Sequence, residues 1–200
     1  MSQRTSGFER QSGDQYMTPE WVAETLLSVM PIYGEVWEPS CGEGSISNTI
    51  KKLDCYVRVV ATDICAKYSD DGFSRDFTDP QVLAAFVRAD RPITIVTNPP
   101  YGHQGKLAER FVRLAIDITQ FNHGRVAMLL PVDWDAAKTR HDLFEDFHGH
   151  VTKITLTDRI RWTNLPQSKS GPSQNHAWFI WDHSRRGREM RWLGRLNHEA

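Results

Sequence analysis

Short apolar runs and amphipathic segments alternate along most of the chain. Residues 93–97 read Ile-Thr-Ile-Val-Thr, a β-branched run of the length that a buried strand has. Residues 106–119 instead place Leu107, Phe111 and Leu114 at helical spacing, which predicts an amphipathic helix. By the same criteria we predict strands near 36–37, 56–62, 125–132, 151–160 and 177–181, a short strand ending near Asp76, and helices over 19–30, 45–53, 81–89 and 136–147.

This order of elements predicts the fold class. Strands that alternate with helices favour an α/β protein with a Rossmann-like, doubly wound and mostly parallel sheet of about seven strands. The last two predicted strands have no helix between them, which indicates an antiparallel pair at one edge. We expect a disordered N-terminus over 1–13, one domain over 14–182 and a basic C-terminal tail over 183–200. Thr18 and Pro19 carry the start signals of the first helix, with Thr18 as its N-cap.

Charge and cysteine content indicate the cellular compartment of the protein more than its activity. The net charge of −1 gives no overall basic field, but residues 183–200 carry five arginines against two glutamates. Three cysteines without a Cys-x-x-Cys spacing favour a reducing compartment. Since no segment resembles a signal peptide or is apolar enough to cross a bilayer, we expect a cytoplasmic protein without a membrane partner.

Two of the predicted strands end in motifs that suit a nucleoside ligand. Residues 38–44, Glu-Pro-Ser-Cys-Gly-Glu-Gly, follow a short strand, and the glycines allow a ligand to approach the backbone closely. Asp63 ends the next strand, about 20 residues after Gly44, where an acidic side chain can accept hydrogen bonds from ribose hydroxyls. Each feature alone is also common in turns that bind nothing.

The most specific motif is Asn98-Pro99-Pro100-Tyr101, directly after the buried strand at 93–97. Two prolines stiffen the backbone and remove two donors, which leaves carbonyls to face a ligand. The Asn98 side-chain oxygen and the Pro99 carbonyl could accept the two hydrogens of an exocyclic amine, and Tyr101 could stack on its ring. Such bonds favour the pyramidal nitrogen that the amine has in the transition state when it reacts.

With these motifs the chain resembles the amino-methyltransferases that use S-adenosylmethionine, and most of all small phage or prophage enzymes that methylate adenine N6 in DNA. The resemblance spans roughly residues 15–182. It implies S-adenosyl-L-methionine as the cofactor, a catalytic role for residues 98–101, and a bacterial or phage-infected cell as the setting. The cofactor-binding residues that it implies are Tyr16, Thr18, Glu38, Pro39, Cys41, Gly42, Gly44, Asp63, Ile64, Asp76, Phe77 and Asn98.

Within that set the resemblance implies separate roles. The segment with Tyr16 and Thr18 is similar to one that holds the methionine carboxylate, and Asp63 corresponds to the ribose ligand. Asp76 and Phe77 resemble a pair in which the acid contacts the adenine amine of the cofactor and the ring lies beside it. Methyl transfer from a sulfonium needs orientation and electrostatic complementarity rather than a metal, and we predict no metal site.

A target adenine would have to leave the base stack to reach such a loop. We expect contacts with nucleic acid, DNA in the main interpretation, from Tyr101, Arg161, Trp162, Lys169 and Asn175, with help from the arginine-rich tail. The chain has no room for a separate recognition domain, so a specificity partner or a homodimer is a further expectation.

Several alternatives stay open at this point. Asn-Pro-Pro-Tyr also occurs in enzymes that methylate adenine in RNA or the glutamine amide in proteins. A non-catalytic nucleic-acid-binding protein could keep the same fold. A nicotinamide-dependent dehydrogenase is disfavoured, because Ser47 stands where its glycine motif requires a third glycine.

Overall fold

The computed structural model describes residues 16–54, 56–86, 91–162, 172 and 174–196 of the chain. In this part the chain forms a seven-stranded sheet with helices on both faces. The strands are β1 (Glu35–Glu38), β2 (Val59–Ala61), β3 (Ile93–Thr97), β4 (Arg125–Pro131), β5 (His150–Leu156), β6 (His176–Asp182) and β7 (Gly187–Leu193). The α-helices are α1 (Glu20–Leu27), α2 (Ser45–Leu53), α3 (Pro80–Phe86), α4 (Lys106–Thr119) and α5 (His141–Phe144).

The strand order is β2-β1-β3-β4-β6-β5-β7. β1 to β4 run parallel, β6 is antiparallel to both of its neighbours, and β7 is parallel to β5. The predicted fold class and the predicted antiparallel pair, β5 with β6, are therefore confirmed. None of the described helices is both long and apolar enough to cross a membrane.

Residues 187–193 differ from the prediction, because they form the outermost strand of the sheet within the stretch expected to be a basic tail. The sheet therefore continues past residue 182, where we expected the domain to end. The sequence did not predict β7 because most of its side chains are exposed on both faces of the sheet. Its apolar and polar residues therefore lack the regular alternation that indicates a strand.

Two further predictions are wrong. No strand ends at Asp76, which lies in a turn where its carboxylate accepts hydrogen bonds from the Thr78 amide (2.7 Å) and hydroxyl (2.8 Å). The helix expected over 136–147 is reduced to 3₁₀ turns and the four residues of α5, because Ala137 is extended, with φ −89° and ψ 129°. Arg140 holds this irregular segment by bonding Glu109 at 3.1 Å and the Trp134 carbonyl at 2.9 Å.

The core has two layers, one on each face of the sheet. Alternate side chains of β4 enter opposite layers: Met128 packs with α4, whereas Leu129 packs with α1 and α2. A central strand that is buried on both faces is expected to be apolar, as β4 is from Val126 onward. The two layers hold the sheet rigidly from both sides.

The sheet order creates one crevice suited to a ligand. After β1 the chain moves outward to β2, and it then returns to the other side of β1 to form β3. Neighbouring parallel strands whose connections leave in opposite directions open a crevice at their carboxyl ends. The segments that follow β1 and β3 are 39–44 and 98–101, which carry the two motifs that sequence analysis selected.

Phe77 provides a test of the core. Its ring is 2% exposed and lies 5.1 Å from the Trp37 ring and 4.8 Å from the Phe111 ring. We expect Phe77→Ala to lower the free energy of unfolding by about 3–5 kcal/mol, because it leaves a cavity in the core. Phe73→Ala is the matched control: Phe73 is 62% exposed, and its loss should cost no more than about 0.5 kcal/mol. Urea denaturation of both variants measures the difference, and equal costs would contradict the burial of Phe77.

Candidate functional site

The loop after β1 is supported from beneath by Glu38. This side chain is 1% exposed, and an oxygen of its carboxyl group accepts a hydrogen bond from the Ser47 amide at 2.8 Å, in the first turn of α2. Burial raises the pKa of the Glu38 carboxyl to about 8, against the opposing effect of the Ser47 hydrogen bonds. Pro39 is buried as well. Both residues thus shape the loop from its inner side.

Gly42 and Gly44 make the outer side of this loop. Both adopt positive φ, 50° and 79°, a region that disfavours other residues. A Cβ on Gly42 would meet no atom within 4 Å, so the backbone here borders open space. A Cβ on Gly44 would lie 3.2 Å from the side chains of Ser47 and Asn48. Gly42 is therefore the position where a ligand can approach the loop backbone.

Asp63, after β2, is tied to this loop. Its carboxylate accepts hydrogen bonds from the Gly42 amide at 3.0 Å and from the Cys65 amide at 2.8 Å, one on each oxygen. The Ser69 hydroxyl bonds both the amide (2.8 Å) and the carbonyl (3.0 Å) of Asp63. Because a carboxylate oxygen can accept more than one hydrogen bond, Asp63 retains acceptor capacity towards a ligand.

Two neighbours of these residues differ in exposure. Cys41 is buried, and its thiol donates to the Tyr68 carbonyl at 3.2 Å. Burial raises the pKa of this thiol to about 12, so it is a neutral packing group rather than a nucleophile. Ile64, beside Asp63, is 66% exposed and offers an apolar surface next to the carboxylate.

The loop after β3 meets the loop after β1 through Ser40. The Ser40 hydroxyl lies 2.6 Å from the Thr97 hydroxyl and donates to the Asn98 carbonyl at 3.3 Å. This contact places the Asn-Pro-Pro-Tyr segment beside the glycine loop. The two motifs therefore form one site at the carboxyl edge of the sheet.

Asn98 is held in a defined orientation. Its side-chain nitrogen donates to the Tyr16 carbonyl and to the Thr18 hydroxyl, both at 3.3 Å. A carbonyl can only accept, so the nitrogen and oxygen of the Asn98 amide cannot exchange places. Thr18 therefore positions Asn98 across the fold, and it makes no cap hydrogen bond to α1, for which the structure places Pro19 at the N-cap. The N-cap expected for Thr18 is wrong.

The side-chain oxygen of the same amide has no donor in the described part of the chain. The Asn98 side-chain oxygen is buried and has no hydrogen-bond partner among the described residues. A buried acceptor without a hydrogen bond lowers the stability of the fold by roughly 1–3 kcal/mol. The site therefore presents one buried, oriented oxygen that would be satisfied by an N–H or O–H donor of a ligand.

Aromatic side chains continue from this loop in a row. The Tyr16 ring lies 6.3 Å from the Tyr101 ring and 5.3 Å from the Trp162 ring, and Trp162 meets His176 edge-on at 5.3 Å. Burial lowers the pKa of His176 to about 4, which keeps its ring neutral at pH 7. We call these four residues the aromatic row; its uncharged rings are tilted or perpendicular to one another. Tyr16, whose carbonyl accepts from the Asn98 side chain, connects the row to Asn98.

The remaining predicted site residues differ in burial and in the contacts that they make. Phe77 is in the core, and Asp76 is exposed in its turn. Arg161 is exposed next to Trp162, whereas the Asn175 side-chain oxygen accepts from Arg159 at 2.7 Å. Lys169 lies outside the described residues. The functional roles of all the predicted residues stay predictions.

Sequence analysis missed two residues of the site. Ser40 joins the two loops, and its only signal is its place inside the motif at 38–44. His176 begins β6, where it is paired with Pro131 at the end of β4. Because β6 is antiparallel to β4, its first residue lies at the carboxyl edge. A correct prediction of strand direction would have placed His176 there.

Comparison with solved structures identifies the fold. The modification subunit assigned to a type I restriction enzyme of Vibrio vulnificus matches with a TM-score of 0.57 and 15% identity, over 92% of this chain and 48% of that one. A protein assigned as an RNA methyltransferase in Pyrococcus horikoshii matches with a TM-score of 0.54 and 17% identity, over 90% and 93%. TrmN from Thermus thermophilus matches with a TM-score of 0.50 and 18% identity, over 80% and 48%. This chain has the fold of the S-adenosylmethionine-dependent methyltransferases.

The methyltransferase fold confirms the resemblance seen in the sequence at the level of architecture. The chain spans about half the length of the Vibrio subunit and of TrmN. The sequence itself matches no family model and no curated protein. No three His, Cys, Asp or Glu side chains of the described residues cluster as metal ligands would.

The raised pKa of Glu38 predicts a specific pH dependence. From the ordinary value of 4.5 up to about 8, the unfolded chain loses the Glu38 proton while the folded chain keeps it. The stability contributed by this group therefore falls as the pH rises through that window. We expect Glu38→Gln, which keeps an acceptor for the Ser47 amide, to gain stability relative to the natural chain between pH 5 and pH 8. Urea denaturation across this range measures the gain, and a constant difference would contradict a protonated Glu38.

Proposed function

We propose that this protein transfers a methyl group from S-adenosylmethionine to the exocyclic N6 amine of adenine in DNA. The observation that carries the proposal is the buried, oriented and unpartnered side-chain oxygen of Asn98, beside the glycine loop and an aromatic row. The methyltransferase fold supports the reaction type. The choice of DNA adenine rests on the sequence motifs.

The residues around Gly42 fit the cofactor. Open space in front of Gly42 suits the close approach of a nucleoside, and a substituent there would intrude on it. Asp63 keeps acceptor capacity for ribose hydroxyls, and Ile64 adds an exposed apolar surface beside it. S-adenosylmethionine would supply an activated methyl group on a positively charged sulfur. Tyr16 and Thr18, which already bond Asn98, would link the cofactor end of the site to the catalytic loop.

Asn98 would act on the target amine. Its oxygen would accept one amine hydrogen, and the Pro99 carbonyl would accept the other. Both bonds draw electron density towards the nitrogen and become stronger as positive charge develops there, so they favour the transition state over the bound substrate. Because Tyr16 and Thr18 fix the Asn98 amide beforehand, little reorganisation is needed when the substrate binds.

The aromatic row would bind the target ring. A nucleobase is flat and apolar on both faces, and it stacks on aromatic side chains with a gain of about 1–3 kcal/mol per base. Tyr101 and Trp162 both lie near Tyr16, whose carbonyl bonds the Asn98 side chain, so their rings would offer stacking surfaces close to Asn98. Arg161, next to Trp162 of the aromatic row, is exposed and would contact a phosphate. Stacking here would help to offset the cost of flipping the base.

The direct test is methyl transfer from labelled S-adenosylmethionine to unmethylated duplex DNA, with single-stranded DNA, RNA and protein extract in parallel. We expect labelled N6-methyladenine in DNA after nucleoside analysis. Label in RNA or in protein alone would keep the reaction and overturn the substrate. Cofactor binding without transfer to any of these acceptors would contradict the proposed activity.

Two substitutions separate the roles within the site. Asn98→Ala removes the acceptor for the amine and should lower kcat by about 10²-fold or more while the Kd for S-adenosylmethionine changes little. Asp63→Asn should raise that Kd first, because it removes a charge and an acceptor that face the ribose.

Calorimetric titration of the cofactor and single-turnover methylation would be measured on both variants. Thermal unfolding confirms that each variant is folded. Equal losses of binding and turnover in Asn98→Ala would mean that the residue is only structural.

A further inference from the structure

β7 leaves one edge of the sheet open. It pairs with β5 on its inner side, and among the described residues no strand pairs with its outer side. Met190 and Trp192 of this strand are 60% and 61% exposed. An open edge with apolar side chains is a template for pairing with another strand, and soluble proteins usually protect such edges.

The hydrogen bonds within the sheet identify the backbone groups that face outward. The Leu193 carbonyl accepts from the Thr157 amide at 2.9 Å, so Leu193 directs its backbone groups towards the β5 side. Backbone direction alternates along a strand, and Glu189 and Arg191 therefore face β5 as well. It follows that Arg188, Met190 and Trp192 point their amides and carbonyls away from the sheet.

We propose that β7 pairs with β7 of a second copy of this chain in an antiparallel, two-fold symmetric arrangement centred on Met190. In this register Met190 lies opposite Met190 of the partner subunit, and Arg188 lies opposite the partner's Trp192. These are the residues whose backbone groups point outward. Each such pair can exchange two hydrogen bonds, as opposed residues of an antiparallel ladder do.

The same register matches the charges. A two-fold axis at Met190 places Glu189 opposite the partner's Arg191, and Arg191 opposite the partner's Glu189. Opposite charges across an antiparallel pair stabilise it, whereas like charges destabilise it. Glu189 and Arg191 already bond within one chain at 2.6 Å, so both side chains lie on the same face of the strand. The four charges would then form one neutral cluster across the axis.

The opposite face would bury apolar surface. Met190 and Trp192 share the face on which Arg188 donates to the Gly149 carbonyl at 2.9 Å and to the Phe147 carbonyl at 2.8 Å. This anchoring fixes the aliphatic stem of Arg188 along the sheet, where the partner's Trp192 would cover it. The two Met190 side chains would pack against each other on the axis. Charge and hydrophobicity thus select the same register.

Such a dimer would leave the candidate site free. β6 is antiparallel to both β4 and β5, so β4 and β5 run in the same direction, and β7 is parallel to β5. β7 therefore runs in the same direction as β4. An antiparallel junction therefore turns the carboxyl edges of the two copies in opposite directions, and each site stays open to its own substrate. The inference is independent of the reaction proposed above.

Charge reversal tests the register in the full chain. Glu189→Arg and Arg191→Glu each place like charges opposite each other across the axis. Sedimentation velocity over a range of concentrations should show a dimer for the natural chain and a dissociation constant raised roughly tenfold or more for each variant, since two like-charged contacts replace two complementary ones.

An equimolar mixture of the two variants should recover the dimer, because every contact across the axis is again complementary. Loss of the pair within one chain is common to both variants and would not be repaired by mixing. Met190→Lys should also dissociate the dimer, whereas Phe121→Lys, at a position that is 67% exposed elsewhere, should not.

A monomeric natural chain would overturn the proposal, and so would a dimer that survives both reversals or a mixture that stays monomeric. Thermal unfolding of each variant checks that it is folded. Methyl transfer measured on the same samples should persist in the dissociated variants, which keeps this test separate from that of the reaction.

Discussion

The parallel pairing of β1 with β3 is the constraint on which the site depends. It brings the ends of two strands that are far apart in sequence to one place, and the contact between Ser40 and Thr97 at 2.6 Å joins the loops that follow them. Neither loop would form the proposed site alone, because the buried, oriented oxygen belongs to Asn98 on one loop and the backbone that borders open space belongs to Gly42 on the other. The rest of the architecture holds these two strands in place: apolar layers cover both faces of the sheet, and Glu38 fixes the start of α2 beneath the loop.

A second feature is that the site is built in advance. Asp63 already orders the Gly42 backbone, and Tyr16 and Thr18 already orient Asn98. Preorganised dipoles stabilise developing charge without reorganisation during the reaction, whereas flexible groups lose part of this advantage. The cost is an unsatisfied oxygen on Asn98 in the absence of a ligand. A fold with two well-packed core layers can tolerate this unsatisfied oxygen, since it amounts to roughly 1–3 kcal/mol against a stability of about 5–15 kcal/mol.

Sequence reasoning was reliable where one local signal controlled the structure. The apolar run at 93–97 and the helical spacing at 106–119 match β3 and α4 in the structure, because burial on both faces and amphipathic packing each leave a clear pattern. It was unreliable where distant contacts decided. Thr18 carries the signal of an N-cap, yet its hydroxyl bonds a side chain 80 residues away. β7 forms because β5 offers an open edge, and its own exposed residues do not indicate a strand. Phe77 also makes distant contacts that its neighbours in sequence do not indicate, because its ring packs with those of Trp37 and Phe111; its contact with a cofactor stays a prediction.

The same contrast separates the proposed reaction from its substrate. In the proposal, acceptance of an amine would need only a few oriented groups, which lie on two short loops and in the segment with Tyr16 and Thr18. Selection of one nucleic acid and one sequence requires an extended surface, and residues 163–171, which include the predicted contact Lys169, lie outside the part of the chain that the structure describes. Close to Asn98 the structure describes the aromatic row, and Arg161 next to Trp162 is exposed. In the proposed function, stacking on these rings would accept every base, whereas the hydrogen bond to the Asn98 oxygen would select bases that carry a donor such as an exocyclic amine. Adenine and cytosine both carry such an amine, so this hydrogen bond would leave the choice between them, and the recognition of neighbouring nucleotides, to other contacts.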